Sequence, residues 1–254
     1  MEVSLLLFVC ALTVGSPFDE ALVAADALAA QARAVPAEDK TKGAAVQCAL
    51  DAYGALLREK GKDPKLGPRL RRRRASLLKH AGRSVDALAE YDAIVNGRAR
   101  RKDRARALVD GGKLLERSLD HVGAAARYRR AAEDYRDIVR VRAEATVRWG
   151  RMLEMFAKPK GAARCYRLVI DKCGDQAEWV IASYDALALM AVRASEPGRA
   201  RRWLSRCVAR FEKRAARGDK YGAFVARLLG AMKAPAALAA AGAKGGQKRS
   251  GHRR

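Results

Sequence analysis

An Ala-x-x-x-Tyr frame recurs along this chain at nearly constant spacing, and no other feature narrows the fold so far. GAAARYRRAA at 123–132 and GAARCYRLVI at 161–170 begin 38 residues apart. Ala49 precedes Tyr53, Ala87 precedes Tyr91, Ala124 precedes Tyr128 and Ala162 precedes Tyr166, while Ala200 precedes Leu204 in the same way. These alanines lie 38, 37, 38 and 38 residues apart, and three residues past each large side chain stands Leu56, Ile94, Ala131, Val169 or Cys207. Positions i and i+4 share one helix face, so each frame marks a helix. A fixed period of this length is the signature of stacked structural units.

An earlier helix completes each unit. Twelve residues before the alanine come Ala75, Gly112, Gly150 and Ala188, followed three residues later by Leu78, Leu115, Leu153 and Ala191. Small residues at these points let paired helices approach closely. Turn signals separate the two helices at Ala81-Gly82, Asp120 to Gly123, Pro159 to Gly161 and Pro197-Gly198. Pro68 suits a first helical turn. Aromatics make up 6% of a chain that is half apolar, and no stretch alternates as a strand would, so closely packed helices are expected throughout.

The pattern resembles the tetratricopeptide repeat (TPR), most closely over 143–174 through Thr146, Trp149-Gly150, Leu153, Ala162, Tyr166 and Val169. The family period is about 34 residues, and the excess here is close to one helical turn, which preserves every face. The resemblance implies an all-α fold, a right-handed α-solenoid of helix–turn–helix units with a period of about 38 residues. Four segments are predicted: a signal peptide at 1–16, a capping helix and linker at 17–42, the repeat domain at 43–232, and a stub helix with a disordered basic tail at 233–254.

The N-terminal assignment rests on an apolar run from Val3 to Val14 followed by small residues and Pro17, with a cut after Gly15 or Ser16. Such a run is too short to span a bilayer but suits a signal-peptide core. Glu2 stands where a positive residue is usual, and a capping helix is the competing reading. Export would put the protein in the periplasm or outside the cell, and an uncleaved N-terminus would keep it in the cytoplasm. A lipoprotein reading at Cys10 is weaker because Phe8-Val9 precedes it. No later segment is apolar enough to cross a membrane.

The formal charge of +24, from 52 Lys and Arg against 28 Asp and Glu, raises the question of a polyanion partner. The basic residues cluster at Arg69–Arg74, at Arg98–Arg106 and in the tail. Arginine is also a good helix former, and filling exposed faces is the simpler account. Arg71 and Arg74 fall where the family has large apolar residues, so they are expected either to drape their stems over a loose joint with helix 43–60, the favoured reading, or to line a basic groove.

Cys10, Cys48, Cys165, Cys173 and Cys207 show no metal spacing and read as small apolar fillers. Glu116 and Glu154 lie one repeat apart, and nearby Arg117 and Arg151 suggest ordinary ion pairs rather than acid–base chemistry. No phosphate loop, HExxH or nucleophile elbow occurs, so no enzyme, cofactor or metal is expected. The resemblance implies a protein-interaction scaffold that holds an acidic peptide or partner protein on a concave face lined by the first helices. By register that face carries Arg72, Lys79, His80, Arg106, Lys113, Arg117, Arg151, Met155 and Arg193, with Glu116, Glu144, Glu154, Asp185, Leu189 and Val192 among them. The alternative is polyanion or nucleic-acid binding through the arginine clusters and the tail.

Overall fold

The computed structural model of the protein describes residues 16–215, which fold into ten α-helices with no strand among them. The helices are α1 (Pro17–Ala34), α2 (Lys42–Lys60), α3 (Leu66–His80), α4 (Ser84–Asn96) and α5 (Arg101–Arg117). They continue with α6 (His121–Asp134), α7 (Val139–Met155), α8 (Pro159–Lys172), α9 (Ala177–Arg193) and α10 (Pro197–Ala215). The chain divides into two compact units, residues 1–114 and 115–254, with the boundary inside α5. The repeat domain expected over 43–232 is therefore shared between them. Most of the expected signal peptide, the part of the expected repeat domain beyond residue 215, and the stub helix and basic tail expected at 233–254 lie outside the described residues.

In the first unit α1 packs on α2, α2 on α3 and α3 on α4, and α1 also touches α3. In the second, α6 to α10 pack each on the next, and α7 touches α9. The frame that marks the repeat supplies the core. Ala49, Ala87, Ala124, Ala162 and Ala200 have no exposed surface, and Tyr53, Tyr91, Tyr128, Tyr166 and Leu204 are buried beside them. Gly150 shows why small residues are needed on the first helices. A Cβ there would lie 2.7 Å from the Tyr166 ring and 3.3 Å from the Cys165 Cβ, so α7 and α8 touch almost backbone to side chain.

The turn inside each of the four helix pairs from α3–α4 to α9–α10 repeats as faithfully as the core. Gly82, Leu119, Ala157 and Ser195 all have left-handed φ, between 54° and 75°. In each turn the next N–H donates back to the carbonyl four residues before the left-handed one. Arg83 bonds Leu78, Asp120 bonds Leu115, Lys158 bonds Leu153 and Glu196 bonds Ala191, at 2.8–2.9 Å. This satisfies the otherwise orphaned carbonyls at the end of the first helix and reverses the chain. Gly82 adopts this conformation without cost, whereas side chains at the other three sites crowd the backbone. The second helices then start with Asp120 accepting from the Gly123 N–H at 2.8 Å, or with Pro159 and Pro197 in the first turn.

At the N-terminus, Ser16 caps α1 by accepting from the Asp19 N–H. The helix buries Leu22, Ala25, Ala29 and Ala32 in the first unit. Cys165, Cys173 and Cys207 are buried free thiols, as fillers should be, but Cys48 is exposed. Cys48 lies next to the frame alanine Ala49, and helical geometry turns it away from the core.

Candidate functional site

The expected binding residues are divided between the two units. In the first unit, Arg72 on α3 donates to Asp103 of α5, which also accepts from Arg100 Nε at 2.9 Å. Lys79 and His80 are exposed at the end of α3. Arg106 and Lys113 flank Asp110 on α5, at 3.3 and 3.8 Å. Arg117 is exposed at the end of the same helix and belongs to the second unit.

The arginine run of α3 is spent on ion pairs within the unit, against the basic-groove reading. Arg71 Nη1 and Arg74 Nη1 reach Glu90 of α4 at 3.0 and 2.5 Å, and Arg73 donates to Asp26 of α1. Glu90 is only 7% exposed. The run thus spends its charge on α1, α4 and α5 instead of lining a basic groove. Each guanidinium from Arg71 to Arg74 is committed to a carboxylate on another helix, because a charge drawn toward the interior requires a counter-charge. The cluster at 69–74 consequently offers little unspent charge to a polyanion.

Arg151, Met155 and Arg193 do come together, in the second unit. With Glu154, Tyr166, Asp185 and Leu189 they line a groove of about 420 Å³ between α7 and α9, the first helices of successive repeats. Met155 and Leu189 are 56% and 44% exposed, and both belong to the lining of this groove. Arg151 and Arg193 are exposed at the rim. Between them Asp185 is half-buried, and that burial raises its carboxyl above the usual range, with Arg151 pulling partly the other way.

The groove is braced by a contact that recurs. Tyr166 donates to Glu154 Oε1 at 2.5 Å, and Arg193 Nη1 donates to Glu154 Oε2 at 2.7 Å. One repeat earlier, Tyr128 donates to Glu116 Oε2 at 2.7 Å, and Arg148 Nη1 reaches the same carboxylate at 3.2 Å. In the first unit Tyr53 donates to Asp26 Oδ1 at 2.7 Å, and Asp26 also accepts from Arg73. Each time an acid on a first helix joins the tyrosine of its own second helix to an arginine on the next first helix. Burial, then the bond to the acid, pushes the phenols of Tyr53, Tyr128 and Tyr166 well above their ordinary value.

The partners of Glu116 and Glu154 are therefore Arg148 and Arg193 rather than Arg117 and Arg151. Arg117 follows Glu116 directly and points to a different face, whereas Arg151, three residues before Glu154, shares its face but finds the carboxylate taken by Tyr166 and Arg193. The signal that could have revealed this contact was present: Glu116 to Tyr128 and Glu154 to Tyr166 share a spacing of 12 residues. Among the described residues no three His, Cys, Asp or Glu side chains gather to hold a metal ion, and no helix is long and apolar enough to cross a membrane.

Buried frame alanines, repeated turns and a groove between successive first helices define a class, the all-α solenoid of TPR-like helix–turn–helix repeats. Among solved structures the chain is similar to MamA, a TPR-like protein. The identity is 16% and the TM-score 0.50, over 72% of this chain and 98% of that one. No family model and no curated protein matches the sequence.

Proposed function

We propose that the protein is a non-enzymatic interaction scaffold that holds an acidic, amphipathic segment of a partner protein in the groove between α7 and α9. The observation that carries this reading is the exposure of Met155 and Leu189 beside the cationic rim of Arg151 and Arg193. Helical segments dock in grooves through spaced apolar anchors, and opposite charge at the rim steers and orients them. Nonspecific polyanion binding is the other reading, and it now rests on the cluster at 98–106 and the tail, because the α3 arginines are paired internally.

The test is a photo-crosslinking residue placed at Leu189 and, as a control, at Val122, which is exposed on α6. A partner recovered at Leu189 alone is then purified and titrated against the Arg151→Glu/Leu189→Ala variant and against a chain lacking 243–254. Binding should be lost in the first and kept in the second. Loss only on removing the tail, with a steep fall in affinity as salt rises, would make the protein a polyanion binder driven by counterion release.

We also propose export, on the apolar run from Val3 to Val14. A cut after Gly15 would leave Ser16 to cap α1, whereas a cut after Ser16 would remove that cap. Intact-mass measurement should therefore find a mature chain starting at Ser16, and an intact Met1 on most molecules would return the protein to the cytoplasm.

A further inference from the structure

A larger groove, of about 610 Å³, lies on the other side of the same repeats, between the second helices α8 and α10 with the end of α9 as its floor. Leu187, Met190, Ala191 and Trp203 supply apolar surface there. Trp203 is half-buried, with its ring 6.2 Å from that of Tyr184. Along one bank, Lys160, Arg164 and Arg167 follow one another at i, i+4 and i+7 on α8. All three are exposed, and they make no ion pair among the described residues. On the other bank Arg199 is held by Glu196 at 2.9 Å, which leaves Asp171 as the one unspent acid of the lining.

We propose that this groove is a second docking site, for an acidic amphipathic helix of another protein. The basic row has helical spacing, so a helix laid alongside α8 can place its own acids at matching intervals while an aliphatic stripe covers Met190 and Trp203. The C-terminal remainder of this chain is not the occupant. Residues 216–254 carry nine Lys and Arg against one Asp, a charge that the row on α8 repels. With a groove on each face of the same repeats, the second unit can hold two partner segments at once.

The experiment uses the full chain and a panel of labelled synthetic peptides of about five helical turns. Each carries glutamates at i, i+4 and i+7 on one face and leucines on the other, and same-composition scrambles and polyglutamate serve as controls. At least one patterned peptide should bind and change the tryptophan fluorescence, and that change should vanish in Trp203→Phe. The Arg164→Glu/Arg167→Glu variant should weaken binding by about tenfold or more, the usual reach of a reversed charge contact. Arg151→Glu/Leu189→Ala, in the opposite groove, should leave it unchanged. The proposal is overturned if no patterned peptide binds, or if scrambles or polyglutamate bind equally well. It is also overturned if the fluorescence change survives Trp203→Phe, or if only the α7–α9 variant loses binding.

Discussion

One position in the repeat is filled in opposite ways by the two units. The residue just before the frame tyrosine is Glu90 in one copy of the first unit and Cys165 in one copy of the second, both buried, while the other tyrosine copies have Ala52 and Arg127 there. The facing first helix changes with it. Where α3 has Arg71 and Arg74, α7 has Thr146 and Trp149 two repeats further on. The first unit thus closes its α3–α4 contact with two arginines on one buried carboxylate. The second closes the equivalent α7–α8 contact with a thiol packed against Gly150. The same backbone contact accepts either solution, provided both sides change together. An arginine count therefore says little about surface charge until the partners are known.

The largest expected effect is on the polar version. Glu90→Ala leaves Arg71 and Arg74 drawn inward without their carboxylate and should cost on the order of 3 kcal/mol, toward the low end for a broken buried pair because both arginines are about a third exposed. Urea unfolding reads this directly, with the exposed Arg130→Ala as a control expected to move stability by no more than about 0.5 kcal/mol. Replacing Glu90, Arg71 and Arg74 together by Leu should recover most of the loss, since an apolar cluster can stand in for a buried ionic one. A triple variant no more stable than Glu90→Ala would mean that the two units do not share one interchangeable contact.

A smaller effect tests how tightly the second unit is closed. Gly150→Ala gives α7 the residue that α3 has at Ala75, but its methyl would meet the Tyr166 ring at 2.7 Å. Overpacking of this kind costs about 1–3 kcal/mol. It should also disturb the bond from Tyr166 to Glu154, visible as a shifted tyrosine absorbance titration. A variant as stable as the natural chain would show that the two units pack equally loosely.

The turns give a sharper contrast at lower cost. Gly82 in the first unit and Leu119, Ala157 and Ser195 in the second share left-handed φ. Ala157→Gly and Ser195→Gly should each stabilise the protein by about 1 kcal/mol, and Gly82→Ala should destabilise it by a similar amount. Thermal melts with the same sign for all three variants would contradict the shared turn.

The least visible effect at neutral pH belongs to the thiols. Burial pushes Cys165 and Cys207 up to about 12 from an ordinary 9.0. With the folded value raised, their contribution is fully present below pH 9 and is lost as pH rises from about 9 to about 12, because the unfolded chain releases the protons first. Cys165→Ala should flatten that alkaline decline, whereas the first unit has no thiol at the equivalent place. An unchanged alkaline profile in Cys165→Ala would assign the decline to other groups, the raised tyrosines first among them.

Spacing alone determined which side chains are buried. From Ala49 to Cys207 every residue of the frame sits in the core, because helical periodicity ties sequence spacing to a face and an apolar face must be covered. The same register brought Arg151, Met155 and Arg193 to one groove, since they lie on successive first helices of one unit. What periodicity could not supply was which charge meets which. Arg71 and Glu90 are 19 residues apart, Arg73 and Asp26 47, and Arg193 and Glu154 39, across helices whose rotation and separation only packing sets. Nor did the sequence mark Leu119, Ala157 and Ser195 as left-handed, because none is the glycine that usually signals that conformation. Tertiary structure decided both, by holding the ends of paired helices so close that one local geometry closes the turn, and by placing acids where buried arginines had to find them.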